Sequence, residues 1–277
     1  TGNMTDPKFY EAVIESQARV IYGTAQELID GEENPENINP VVANKLKHVK
    51  ENILRCADLA KVLMAKRFKE GSLDLEVPET QLIIDAAGEP VDVIKSERLF
   101  AHRLIEELML AANVAVAKFL SSREMPSFYR IHEPPDSEKI SLLERYMMNM
   151  GATSKLGGGK LQKKMTRILQ DFHGKPEEQI IHILTLRSMS QAKYTHNNAG
   201  HFGLGFEHYT HFTSPIRRYP DLIIHRLVKS QVHPGGEYRI IPEDDLATAG
   251  TWLSATEQKA AKAERQIQAI KKARFMK

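Results

Sequence analysis

The 277-residue sequence has a single cysteine, Cys56. One thiol excludes an internal disulfide and suits a reducing compartment. No apolar run approaches the ~18 residues that a membrane-spanning helix requires, so no membrane association is expected. Residues 1–10 show no basic segment followed by an apolar one, and no secretion signal is visible there. Neither sign of charge is in surplus: 38 Lys+Arg face 36 Asp+Glu, a formal +2. Polyanion binding by bulk charge is thereby excluded, and any nucleic-acid function must come from local clustering. Disorder as the dominant state is excluded too, because 42% of the residues are apolar and the net charge is small. The expectation is a soluble, cytoplasmic, globular chain.

What is present is mostly helical pattern. Residues 8–22 (KFYEAVIESQARVIY) are the exception: aromatic and β-branched residues in partial alternation predict one or two strands. A short helix is expected over residues 23–30 and a polar loop over residues 31–40. Val42, Leu46, Val49, Ile53, Cys56, Ala60 and Leu63 are spaced alternately by four and three, one stripe of a long amphipathic helix ending near Gly71. LDLEV at residues 73–77 alternates, and residues 81–84 and 90–94 flank the turn-like DAAG, a small antiparallel unit. Residues 101–120 predict an apolar helix buried on more than one side. Further helices are expected over residues 136–148, 161–172, 176–189 and 215–230, the last with a proline interruption. A long final helix over residues 243–274 is expected to falter at Gly250. No repeat, low-complexity tract or Pro/Ser-rich linker divides the chain.

Several motifs fail on their chemistry. GGGK at residues 157–160 is followed by Leu161 where a phosphate loop needs Ser or Thr, and no buried strand precedes it. His196, His201, His208 and His211 lie close together but lack a zinc-ligand pattern. Ser214 has no GxSxG elbow. The densest chemistry lies in residues 201–226, HFGLGFEHYTHFTSPIRRYPDLIIHR. Here Ser214 reads as a helix N-cap with Pro215 at the first helical position, which places Arg217 and Arg218 in the first turn. Backbone N–H groups and the helix dipole favour an anion there, and a guanidinium adds a fork for phosphate. The surrounding aromatics suit base stacking. The other reading, left open by spacing alone, is a capped helix whose arginines pair with Asp221 or Glu207. Glu106 and Glu107 in the apolar helix point to different faces, so at least one lies near the buried side and needs a cation. Arg103 and His102 are the local candidates.

These residues resemble the ribonuclease II/ribonuclease R family. HFGL, the TSPIRRY core and the trailing D…HR are similar to its central motif, and ARVIY at residues 18–22 resembles its Ala-Arg-x-x-Tyr strand end. AHRLIEELMLAAN and RIHEPPD, at residues 101–113 and 130–136, resemble two further family segments in the family's order. The resemblance implies a mixed, helix-rich α/β fold with a small antiparallel sheet, an RNB-like catalytic domain. It also implies processive 3′→5′ hydrolysis of single-stranded RNA to nucleoside 5′-monophosphates, aided by magnesium. Carried over by motif, Arg217 neutralises phosphate near the cleaved bond and Glu106 helps hold the terminal nucleotides. Tyr22 stands near the 3′ end. Glu264 contacts the terminal ribose, with Glu257 as a rival. Arg218, Tyr219 and His211 fall in the RNA-binding set. Leu75 replaces an aromatic that clamps the last base, so stacking is expected to be weaker.

A larger departure concerns the metal. The family's aspartate cluster is missing from this sequence, and Asp85 and the pair Asp244–Asp245 lie in other contexts. Cold-shock-like and S1 domains are not visible either. The expectation is that residues 1–277 form the C-terminal part of the catalytic domain. They would supply RNA-channel and phosphate-binding residues but no magnesium ligands, as a fragment, as one chain of a split enzyme that pairs with a separate N-terminal half, or as the remaining half of a nicked protein. The alternative is a catalytically inert RNA-binding or regulatory fragment.

Overall fold

The computed structural model describes residues 1–32, 38–75, 80–157 and 160–276. Parts of three sequence features lie outside them: the polar loop at 31–40, the LDLEV run and the GGGK stretch. The described chain is helix-rich with small antiparallel pairings, and it divides into two compact units.

The first unit comprises Thr1–Lys69, Arg98–Met125 and His211–Ile240. It holds α1 (Tyr22–Asp30), α2 (Pro40–Lys45), α3 (Lys47–Glu70), α4 (Phe100–Ser121) and α8 (Tyr219–Val232). The four-three stripe runs through α2 and α3, interrupted at Leu46, which turns inward to pack on Leu28 and Ile38. Asn39 caps α2 by accepting the Val41 N–H at 3.0 Å. Further along, Ala57 and Ala60 of α3 meet Ala101 and Leu104 of α4 and Ile29 of α1. Small side chains at that contact bring the helices close.

The second unit comprises Glu70–Glu97, Pro126–Thr210 and Ile241–Lys277. β1 (Thr80–Ile84) and β2 (Pro90–Lys95) form the expected antiparallel hairpin. Asp85 closes its turn by accepting the N–H groups of Ala87 and Glu89. β3 (Tyr129–Ile131) pairs antiparallel with β4 (Lys193–Thr195), a pairing too short to leave a periodicity in sequence. The core lies among α5 (Ser137–Asn149), α6 (Leu161–Asp171) and α7 (Glu178–Ser188), around Met147, Met165, Ile168 and Ile181.

Three expectations are corrected. Residues 8–21 form no strand, and Tyr22 opens α1 instead of ending a strand. A strand exists through a ladder, and no other described strand pairs with these residues. Val13 and Ile14 stand almost fully in solvent. Next, the helix expected from Pro215 begins at Tyr219, with Arg218 rather than Ser214 at the N-cap. Extending it backwards would set the Pro220 ring against the Ile216 carbonyl and lose a hydrogen bond. Finally, α9 (Leu246–Phe275) passes through Gly250 without faltering. A Cβ there would lie 3.0 Å from the Tyr194 carbonyl oxygen, so glycine serves close packing of α9 on β4.

Candidate functional site

In the first unit, the segment carrying the two arginines is irregular yet tied down at both ends. The Phe212 N–H donates to Asn113 Oδ1 of α4 at 2.9 Å, and Asn113 is fully buried. The Phe212 carbonyl accepts from His225 Nε2 of α8 at 2.9 Å, and the two rings stack with centroids 4.0 Å apart. At the other end, Asp221 accepts the Ser214 N–H at 2.8 Å. The same carboxylate takes Arg218 in a two-point fork, Nη2 to Oδ1 at 2.7 Å and Nε to Oδ2 at 2.9 Å. Asp221 has no solvent exposure. The anion that the N-terminus of α8 attracts is therefore the chain's own carboxylate in the first helical turn.

The two adjacent arginines consequently differ. Arg218 is committed to Asp221. Arg217 is exposed, and its guanidinium has no ion pair or hydrogen bond among the described residues. The alternative in which the arginines pair with a carboxylate holds for Arg218 and not for Arg217. Beside them Tyr219 is 48% exposed, while His211 is half-buried.

The carboxylate pair on α4 divides in the same way. Glu107 is buried, and its partner is Arg67 of α3, whose Nε donates to Oε1 at 3.0 Å. That partner lies forty residues away in sequence, so neither His102 nor Arg103 fills the role. Glu106 is half-buried, its Oε2 2.5 Å from Arg98 Nη2. One turn earlier on α4, His102 stacks on Tyr22 at 4.0 Å between centroids. Its Nδ1 accepts the Leu99 N–H at 3.1 Å, which leaves Nε2 to carry the proton. Tyr22, His102, Glu106 and Arg98 thus share one end of α4. An apolar cavity of about 360 Å³ adjoins Tyr22, lined among others by Ile21, Ile53, Cys56, Leu104 and Leu108.

The second unit holds the remaining candidates. Leu75 is half-buried against the core that includes Leu73 and Phe202. Glu264 is exposed on α9 with no partner among the described residues. Its rival Glu257 is engaged with Arg130, Oε2 to Nη1 at 2.5 Å, and Arg130 lies over the Tyr194 ring. The histidines serve the backbone here. His132 Nδ1 accepts the Gly203 N–H at 2.9 Å, and Nε2 donates to the Ser190 carbonyl at 2.7 Å. His201 Nδ1 accepts the Leu204 N–H at 3.3 Å. Burial, then the neighbouring His132 and Arg130, push the His201 imidazolium down to about 3. Burial likewise lowers His132. Both rings are neutral acceptors at neutral pH.

Among the described residues, no three His, Cys, Asp or Glu side chains gather to hold an ion. Asp85 is consumed by its hairpin turn, and Asp244 and Asp245 stand exposed in a single 3-10 turn. The described residues do not fit a magnesium centre of their own.

Sequence reasoning named most of this set but missed Asn113, His225 and Arg98 as the groups that hold it. A fully buried amide inside an apolar helix is the signal that could have found Asn113.

Residues 1–234 match the model of the RNB domain family. The chain is 42% identical to ribonuclease R of Aquifex aeolicus over 280 residues, covering all of this chain and 38% of that relative. Among solved structures, Mycoplasma genitalium RNase R in complex with ribose methylated single-stranded RNA superposes with a TM-score of 0.73 at 29% identity, over 87% of this chain and 38% of that one. The same enzyme in complex with double-stranded RNA gives 0.72 at 29% identity, over 86% and 42%. The chain thus spans well under half the length of the relatives it matches.

Proposed function

The chain belongs to the RNB domain family of ribonuclease II and ribonuclease R, and from that premise we infer that it forms the RNA-contacting part of a 3′→5′ exoribonuclease. Residues 1–277 are the C-terminal part of the catalytic domain in a cytoplasmic enzyme. The substrate is single-stranded RNA, hydrolysed from its 3′ end to nucleoside 5′-monophosphates.

One observation carries the reading: Arg217 presents an unpaired guanidinium to solvent from a segment fixed at both ends, while its neighbour is locked to Asp221. A cation that stands on fixed backbone without an internal partner among the described residues is available to a phosphate, and its charge acts where negative charge develops. Tyr22, 46% exposed and backed by His102, offers a face to a base at the 3′ end. Glu106 offers a carboxylate oxygen to ribose hydroxyls. Glu264 is assigned to the terminal ribose, and Leu75 replaces a stacking aromatic with an aliphatic contact. Arg218 contributes by holding the segment, and Tyr219 and His211 flank it.

Magnesium is expected in the complete enzyme. Its ligands are assigned to a part of the catalytic domain N-terminal to these residues. The exposed, unladdered residues 8–21 and the apolar cavity beside Tyr22 support such a partner. The purified chain should release little mononucleotide from single-stranded RNA, and adding the acidic half in trans should restore magnesium-dependent release. In that reconstituted enzyme, Arg217→Ala should depress turnover far more than RNA affinity. An equal fall in both would count against the role given to Arg217.

The second reading is an inert RNA-binding or regulatory fragment. Continued inactivity after addition of the acidic half would select it. Absence of salt-dependent binding of single-stranded RNA would overturn both.

A further inference from the structure

One buried group, Asp221, organises the segment that carries the two arginines. It is fully buried, it makes three hydrogen bonds, and it touches no solvent. All three bonds go to residues on either side of Arg217: the Ser214 backbone and the Arg218 side chain. Between those points, the N–H groups of Arg217 and Arg218 both turn back to the Ser214 carbonyl, at 3.3 and 3.0 Å. Positions 214 and 218 are thus held by one carboxylate, and the short turn between them projects the side chain at 217. Asn113 and His225 fix the entrance to that turn at Phe212.

We propose that Asp221 is the positioning residue for Arg217: its carboxylate sets where the free guanidinium stands, with Asn113 as the second anchor and Arg218 as the clamp's cation. The proposal rests on the reading of Arg217 as a phosphate contact.

Its consequence runs against simple electrostatics. Removing a negative charge next to a polyanion site should tighten binding, as the summed field becomes more positive. If Asp221 acts through Arg217, removing that charge weakens binding instead. A segment released at Ser214 and Arg218 lets the guanidinium at 217 sample many positions, and the ordering cost then falls on the binding step.

The experiment is a double-mutant cycle on the full 277-residue chain. Affinity for a fluorescent single-stranded oligoribonucleotide is measured by anisotropy across a salt series for the parent, R217A, D221N and R217A/D221N. Far-UV circular dichroism accompanies each variant. R217A should weaken binding about five-fold and flatten the log–log salt slope by about 0.7, the value for one phosphate contact on a single strand. D221N should reproduce both changes despite its more positive charge, and the double variant should bind no more weakly than R217A alone.

Tighter or unchanged binding by D221N, or losses that multiply in the double variant, would overturn the positioning role while leaving Arg217 as a contact. An R217A variant with the parent's affinity and salt slope would instead remove Arg217 as a phosphate contact in the bound state, the point on which the proposal rests, and leave its effect on turnover to be judged separately. Should D221N lose its helical signal, N113L takes its place in the cycle. It frees the Phe212 N–H without changing charge, and the same criteria decide.

Discussion

Residues 8–21 and residues 212–218 both run through the first unit without helix or strand, and their surroundings are opposite. The second stretch is short and polar, and its backbone is held by side chains of other elements: Asn113, His225 and Asp221. The first is longer and apolar. No backbone N–H in it donates a hydrogen bond among the described residues. Side chains tether it at several points: Phe9 rests on Phe119, Glu11 meets Lys229 and His233, His48 reaches the Gln17 carbonyl, and Ala18 and Val20 pack on the cluster of Leu28, Ile38 and Leu46. Irregular backbone is thus held in two degrees here, at its own N–H and C=O groups in the second stretch and chiefly through side chains in the first.

The largest test of that contrast is Asp221→Ala. It removes the acceptor of the Ser214 N–H and leaves Arg218 without its partner in a largely enclosed place. Breaking one side of a buried ion pair costs about 3–5 kcal/mol. Arg218 keeps 18% side-chain exposure, so a loss of about 2–3 kcal/mol is expected in urea unfolding. A loss under about 0.5 kcal/mol, the surface norm, would mean that the segment is held by something other than this clamp.

Limited proteolysis compares the two stretches directly, since both carry trypsin sites. Lys8 and Arg19 are exposed on unladdered backbone, and Arg217 and Arg218 sit in the clamped turn. Cleavage requires local opening, so the first pair should be cut about ten-fold faster. A mass-spectrometric time course reads the order. Equal rates would show that the clamp opens as readily as the free stretch.

How much was legible follows from the same distinction. The hairpin of β1 and β2, the stripe through α3 and the apolar α4 follow from local pattern, and all are present. So does the carboxylate division on α4, in that adjacent positions face different environments. The partner of Glu107 was not legible, because Arg67 approaches through the packing of α3 on α4. Local reasoning also misplaced the start of α8: it read Pro220 as an interruption within one helix from Pro215, whereas that proline sits in the first turn and marks the start. Residues 8–22 were misread as strands for a different reason. Their β propensity describes a side-chain surface suited to a sheet, and propensity supplies no ladder.

A third irregular stretch, residues 201–206 in the second unit, is pinned by imidazoles and so adds a pH handle. His132 and His201 accept the N–H groups of Gly203 and Leu204 at Nδ1. A protonated ring has no lone pair to offer. In the unfolded chain histidine takes up a proton near pH 6.5, whereas folded His201 does so only at about 3. Between those values the unfolded state binds more protons, so stability rises with pH. The contribution is fully present above pH ~6.5 and is lost as pH falls toward 3. Between pH 7.5 and 5.5, a range above most carboxylate titration, a loss of about 1 kcal/mol is expected. Thermal melts at the two pH values, repeated with His201→Asn, isolate the effect. The variant should flatten the difference, and an unchanged difference would assign the pH dependence elsewhere.

The smallest expected effect returns to residues 8–21. Val13 is 103% exposed and Ile14 is 88% exposed. Replacing both with lysine buries no charge and removes no packing, so stability in urea should move by less than about 0.5 kcal/mol. If the stretch awaits a ladder from a partner half, the same V13K/I14K variant should still fail to assemble with that half, because two lysines on a pairing strand oppose edge-to-edge association. Stability and assembly would then separate cleanly. A drop of more than about 1 kcal/mol in the isolated chain would show that these residues already pack against their own unit, and the contrast between the clamped and the unladdered stretch would fail on that measurement.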